Sequence, residues 1–246
     1  MLPLPSVETT LALWLGVVVA SILRSFTGFG FGLTAIPFFV VILTPIQSAV
    51  LSVALTFSVG LFGIKPAIIK QHTQHLLVPL LFAFLGTIAG TYTLLILDVT
   101  TFKLLVGLMI VLLCTVMEFA PPMPKLKSKT ADALAGLLSG LGNGATGIPG
   151  MPVIPLWMLT EQNNAFLRGK LMVYFTYTAL FGLMVFSVNQ LVTPQLIGMY
   201  LVCLPVMVFG TYIGSSLFQK ASGNVYRKTA VFVLACIGFS CIITVF

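Results

Sequence analysis

The sequence predicts an all-α polytopic membrane protein made of two inverted repeats of about five helical segments each, with short glycine-broken hairpin helices at the start of each repeat. Of its 246 residues, 59% are hydrophobic and only 7% are charged, where a soluble domain carries roughly a quarter charged residues. Two glycine-rich stretches interrupt otherwise apolar helical sequence: S-F-T-G-F-G-F-G-L-T-A-I-P from Ser25 to Pro37, and S-G-L-G-N-G-A-T-G-I-P-G-M-P from Ser139 to Pro152. In a bilayer, unwound backbone is tolerated only where protein or a watery cavity satisfies its N–H and C=O groups, so paired breaks point to a transport site.

The chain opens with M-L-P-L-P-S-V-E-T-T, which lacks the basic n-region of a signal peptide, so the apolar stretch from Leu11 to Leu23 is expected to be retained as a helix. Length and breakers place helices near residues 8–24, 30–43, 47–64, 75–97 and 101–119, followed by the loop P-P-M-P-K-L-K-S-K. The second half repeats the order near 131–143, 149–160, 166–188, 195–218 and 227–246. Charge-free runs such as Leu76 to Leu97 and Thr229 to Phe246 are long enough for a hydrocarbon core of ~30 Å. This gives a first membrane repeat at 1–120, a cytoplasmic basic linker at 121–130 and a second membrane repeat at 131–246, together one integral membrane domain. A shift of 115 residues lays Gly32 on Gly147, Pro37 on Pro152 and Gln47 on Gln162.

Charges decide whether each break reverses the chain. With each broken pair read as one pass, Lys65, Lys70, Lys125, Lys127 and Lys129 oppose Lys103, Arg168, Lys170, Lys220, Arg227 and Lys228, which is no bias at all. With each break read as a reversal, every Lys and Arg except Lys103 falls on one face, as the positive-inside rule requires. Five segments per half is an odd number, so the repeats are inverted and both termini are extracytoplasmic in a multi-pass protein of the cell inner membrane or plasma membrane. The helices at 30–43, 131–143 and 149–160 would rise only about 18–21 Å, too short to span untilted. The net charge of +7 belongs to these loops and is a topological signal, not a nucleic-acid footprint.

Short helices that begin at glycine-rich turns expose unpaired N–H groups and a positive dipole end, which favours an anionic substrate. The backbone at Gly28, Gly30, Gly32, Gly144 and Gly147 is the candidate donor set, although glycine also lets membrane helices pack closely. Around the breaks sit Ser25, Thr27 and Thr34 in the first and Ser139, Asn143 and Thr146 in the second; such hydroxyls either donate to an oxyanion or bond back to their own helix. Arg24 at the first break, and Arg168 with Lys170 after the second, are the sharpest candidates, because a guanidinium fork suits sulfonate, sulfite or carboxylate oxygens. For Lys170 a topogenic charge snorkelling at the interface fits as well as a ligand role. Tyr174, with Thr176 and Tyr177, follows Arg168 on the same helix and can line the cavity.

The carboxylates Glu8, Asp98, Glu118, Asp132 and Glu161 all lie near segment ends, so no proton relay is evident at mid-membrane. His72 and His75 fall in an expected interfacial loop without a nearby third ligand, so no metal or other cofactor is expected. Cys114, Cys203, Cys236 and Cys241 lie in apolar segments without C-x-x-C spacing and read as packing residues. An intramembrane enzyme would need a nucleophile and a base at depth, and none is present in the sequence pattern. The expected partners are a small anionic substrate and membrane lipid, with a homodimer plausible for this size and no nucleic acid.

The stretch from Ser25 to Pro37 followed by T-P-I-Q-S-A-V-L-S-V-A-L, the later G-L-L-S-G-L-G-N-G-A-T-G-I-P-G-M-P-V-I-P, and R-G-K-L-M-V-Y-F resemble the TauE/SafE family of sulfite exporters over nearly the whole chain. The resemblance implies a permease for small sulfur-containing or carboxylic anions such as sulfite, sulfoacetate or other organosulfonates. Asn143 and Thr146 stand where many members have a denser glycine run, which adds side chains able to tune substrate choice. The expected function is a secondary transporter that exports such an anion by alternating access. An inside-negative potential favours anion exit by ~2.3 kcal/mol per charge per 100 mV, so export needs no coupling ion in principle. An anion channel, or an uptake permease for other small carboxylates or sulfur compounds, is the alternative.

Overall fold

A computed structural model describes residues 7–119, 123 and 128–220. The expected helix at 227–246, most of the basic linker, and Arg227, Lys228, Cys236 and Cys241 lie outside the described residues, as do Lys125, Lys127 and the side chains of Cys114 and Glu118. The described residues form nine helices: α1 (Val7–Thr27), α2 (Phe31–Ile42), α3 (Pro45–Gly63), α4 (Pro66–Ile96), α5 (Val99–Phe119), α6 (Lys129–Thr146), α7 (Val153–Thr160), α8 (Asn164–Val188) and α9 (Pro194–Lys220). Of these, α1, α3, α4, α8 and α9 are long and apolar enough to cross a membrane.

Local chemistry sets the helix starts. Thr44 and Gln47 form a capping box ahead of α3, with Pro45 at its first position, where a missing N–H costs nothing. Asn163 accepts the Phe166 N–H at 3.0 Å and opens α8. Asp98 accepts the Thr101 hydroxyl and the amides of Thr100 and Thr101 ahead of α5. Those bonds, the Thr101 hydroxyl first, hold its carboxyl below the ordinary carboxylate range.

Two boundaries depart from expectation. Residues 66–75, expected as an interfacial loop with Lys70, His72 and His75, are the first turns of α4, which starts on Pro66 and runs for 31 residues. At 1.5 Å per residue that is about 46 Å, so a spanning α4 has turns to spare beyond the apolar core. His72 is buried on this extension, its ring edge-on to Phe166 at 4.5 Å. The second departure is α6, which continues as helix through Gly140, Gly142 and Gly144 to Thr146, so it is neither short nor broken at 143. Unwinding is confined to residues 147–152.

The breaks are glycine turns that reverse the chain. Gly28 (φ 90°) closes α1 by donating its N–H to the Arg24 carbonyl at 2.7 Å, and Gly147 (φ 72°) closes α6 on the Asn143 carbonyl at 2.9 Å. Left-handed backbone of this kind carries little penalty only without a Cβ. After the first break α2 folds back so that Phe38 lies against Gly16 of α1. After the second, Trp157 of α7 reaches Asp132 at the far end of α6, Nε1 donating to Oδ1 at 2.7 Å. The closing glycines stand 119 positions apart (28 to 147), as do the caps Thr44 and Asn163 (44 to 163), so the structural marks of the two halves keep a spacing of 119, not 115. Gln47 lies in the first turn of α3 and Gln162 precedes the α8 cap, so those two do not correspond.

Helix packing crosses between the halves. Gly136, Gly140 and Gly144 of α6 lie in order against the backbone of Pro79, Ala83 and Thr87, while Gly86 and Gly90 of α4 lie against Leu137 and Leu141 of α6. Residue numbers rise together on both sides, so α4 and α6 run parallel at backbone contact. Gly210 and Gly214 of α9 pack in the same sense on α1 at Ser21 and Ser25. By contrast α3 and α8 cross antiparallel, Gly60 meeting Thr176 and Val53 meeting Gly182. Small residues are what permit such approach where lipid offers no hydrophobic drive for association.

Candidate functional site

The last turn of α1, both breaks and the middle of α3 and α8 line a tight cavity of about 10 Å³, room for about one water in this conformation. Arg24 lines it from α1, Gly30 to Leu33 from the start of α2, Thr56 from α3, Ile148 to Gly150 from the second break, Ile154 from α7 and Phe175 from α8. Most of these walls are apolar. The polar groups that converge on the cavity are a guanidinium, one hydroxyl and backbone amides.

Arg24 is 1% exposed, and its Nε and Nη2 have no hydrogen-bond partner. Its guanidinium carbon stands 5.7 Å from the centre of the Phe175 ring, and the charge that acts on it is another cation, Arg168. Among the described residues no carboxylate pairs with it. A guanidinium does not lose its proton in proteins, so burial leaves a full positive charge that costs several kcal/mol unless an anion compensates it. The Thr56 hydroxyl is likewise buried without a partner. Gly30, the left-handed residue ahead of α2, supplies no side-chain cap, and the Thr34 N–H is the first in the helix to find the Gly30 carbonyl. The amides of the first turn of α2 therefore present the positive end of the helix to the same space.

Of the residues expected from sequence, Arg24, Gly30 and Gly32 meet at this cavity. Gly32 also marks the contact between the two breaks, where a Cβ would come 3.2 Å from Ser52 Oγ and would overlap the Gly147 carbonyl. Thr27 spends its hydroxyl on the first break itself, within 2.8 Å of the Leu23 carbonyl and 2.7 Å of the Phe29 carbonyl. Gly28 lies against the backbone of Arg168, and Ser25 faces Gly214 of α9. Asn143 joins three helices, its Nδ2 donating to the Thr178 carbonyl at 2.9 Å and to Thr87 Oγ1 at 3.3 Å, with Oδ1 unpaired. Gly144 belongs to the α4 seam, and Thr146 bonds back to Gly142 at 2.9 Å. Lys170 sits 3.9 Å over the Trp157 ring, and Tyr174 stacks edge-on to the same ring at 5.1 Å.

Arg168 holds the end of α1. Its Nε donates to the carbonyls of Ser25 and Phe26 at 3.1 and 3.2 Å, its Nη2 donates to Ser25, and its guanidinium lies 4.2 Å over Phe218 of α9. A cation donating to the last carbonyls of a helix satisfies groups that the helix leaves open and meets its negative end. Arg168→Gln is therefore expected to destabilise the solubilised protein by about 1.5–3 kcal/mol, the range for hydrogen bonds to a charged group. An unchanged melting temperature would show that the clamp carries no weight.

Sequence reasoning missed Thr56, the Ile148 to Gly150 wall and Phe175. For Thr56 a signal was present: Ser48, Ser52 and Thr56 recur every fourth residue in an otherwise apolar segment, which puts three hydroxyls on one helix face.

Five helices long and apolar enough to cross a membrane, with two chain-reversing breaks beside a buried cation, describe a multi-pass membrane protein. Residues 13–241 match the profile of the family described as Sulfite exporter TauE/SafE, and the chain belongs to that family. It is a membrane transporter of the sulfite-exporter type and not an enzyme. Comparison with curated proteins and with solved structures gave no match.

Proposed function

We propose that this protein is a secondary transporter that exports a small sulfur-containing anion, sulfite or an organosulfonate such as sulfoacetate, with Arg24 as the counter-ion in the cavity between the two breaks. The observation that carries this reading is the unneutralised charge of Arg24, buried with two unpartnered donor nitrogens beside an unpaired hydroxyl. A transported anion supplies what the fold leaves out. One guanidinium and a few neutral donors suit a compact oxyanion, and a zwitterion such as taurine would bring an ammonium to walls that hold no carboxylate.

The exchange of packing partners supports inverted repeats. If α1 corresponds to α6, α3 to α8 and α4 to α9, the α1–α9 pair turns into the α6–α4 pair, and both run parallel. The α3–α8 pair maps onto itself and is antiparallel, as a two-fold axis in the membrane plane requires. Alternating access then follows from one repeat rocking against the other, with both chain ends extracytoplasmic.

Sulfite counterflow in proteoliposomes tests the transport reading: a carrier saturates and is stimulated by sulfite on the far side, whereas a channel does neither. Orientation has its own test in a background lacking the four natural cysteines. Lys65→Cys is expected to react with a charged thiol reagent only from the cytoplasm, and Thr100→Cys only from outside. Labelling of both from one side would reject the arrangement.

A further inference from the structure

Many hydroxyls on these helices bond back to the carbonyl four residues earlier, as Ser58, Thr87, Thr91, Thr176 and Thr211 do. That is the ordinary way to keep a hydroxyl satisfied in an apolar helix. Ser25 on α1 and Thr34 on α2 are single exceptions, whereas on α3 a whole face at Ser48, Ser52 and Thr56 departs from it. Ser48 and Thr56 are buried with no partner, and Ser52 makes only a 3.5 Å approach to the Gly147 carbonyl. Buried polar groups left unpaired cost stability and call for an explanation.

Position supplies one. Thr56 lines the Arg24 cavity. Ser52 stands where the two breaks touch, against Gly32 and Gly147. Ser48 lies one turn further toward Thr44, and a Cβ at Gly147 would come 2.9 Å from the backbone of its neighbour Ala49. The second break is therefore seated on α3 between the cavity and Ser48. We propose that the Ser48, Ser52 and Thr56 face of α3 is the path between the Arg24 cavity and the Thr44 end of the helix, and that the Gly147 to Gly150 turn is the gate that closes it in this conformation. Each hydroxyl in turn donates to the passing anion, over a climb of about 6 Å per step. This rests on the reading of the Arg24 cavity as the substrate site.

The test separates passage from binding. Ser48→Ala is expected to bind sulfite in detergent as the parent does, to melt at the same or a higher temperature, and to slow sulfite counterflow by about threefold to tenfold, the equivalent of one neutral hydrogen bond. Thr115→Val, on the exposed side of α5 where the hydroxyl bonds back to Val111 at 2.8 Å, should transport normally. Ser48→Cys, with the natural cysteines replaced, should react with an impermeant sulfonate-bearing thiol reagent applied at the Thr44 end, and saturating sulfite should slow the reaction. Normal counterflow in Ser48→Ala, or a Ser48→Cys that stays unreactive from that side, overturns the path. Arg24→Gln measured in parallel keeps the two ideas apart. Lost binding there with normal Ser48→Ala counterflow leaves the site standing and removes the path; retained binding removes the site and the path with it.

Discussion

Arg24→Gln is expected to weaken sulfite binding by about 10²–10³-fold and, in the absence of sulfite, to raise the melting temperature. The first effect follows from the loss of a buried, charge-assisted partner, which typically costs about 3–5 kcal/mol, where every 1.4 kcal/mol is about tenfold in affinity. The opposite sign of the second effect is what makes the experiment specific. Without an anion the guanidinium is a buried charge with two unused donors, so its removal relieves a desolvation penalty. Wild-type protein should gain about 2.7 kcal/mol at sulfite concentrations of 100 times Kd, by mass action, and the variant should gain almost nothing. Arg24→Lys keeps the charge and loses the planar fork, so it should fall between the two. Wild-type affinity in Arg24→Gln, or a lower melting temperature in the empty variant, would sink the assignment.

Gly140→Leu is expected to prevent the protein from accumulating in folded form, and Gly140→Ala to cost more than the roughly 1–3 kcal/mol usual for an overpacked core. A Cβ at Gly140 would overlap the carbonyl of Ala83 and lie 2.8 Å from its Cα. Backbone, unlike the end of a side chain, cannot swing aside, so the added group must part α4 from α6. Gly136 and Gly144 meet α4 in the same way, and a local parting therefore propagates along the seam. Gly107 on α5 provides the control, because nothing lies within 4 Å of its added Cβ. Gly107→Ala should be neutral or better, since alanine is the stronger helix former. Membrane yield and monodisperse elution in detergent report both; a well-folded Gly140→Leu would mean that the seam is not close-packed.

Apolar lengths and the two interruptions were readable because they depend on composition and spacing alone. The charge pattern predicted that the breaks reverse the chain, and the contacts of Gly16 with Phe38 and of Asp132 with Trp157 show reversals at both. The two uses of glycine were harder to separate. Gly147 is needed for a positive φ, whereas Gly140 and Gly144 are needed for a neighbour's backbone, and one chain does not record its neighbour. The same limit hides how a cation is spent. Arg24 and Arg168 look alike in sequence, yet one has unused donors while the other is engaged with carbonyls of α1. The α4 extension was missed for a different reason: lysines and histidines mark an aqueous interface, and a helix longer than the bilayer can carry that interface on its own first turns.

The pairing of α1 with α9 and of α4 with α6 also bears on how the protein is made. Helix α1 is the first described helix to leave the ribosome, and its partner seam at Gly210 and Gly214 is synthesised near the end of the described chain. At ~5–20 residues per second, that wait is on the order of ten seconds or more. The walls of the Arg24 cavity are complete only once Phe175 of α8 has been made, so a buried charge enters the membrane about 150 residues before its surroundings exist. The α1–α9 seam is thus the last of the described contacts to close, and a chain truncated before α9 is expected to leave the Ser21 and Ser25 face of α1 without its partner.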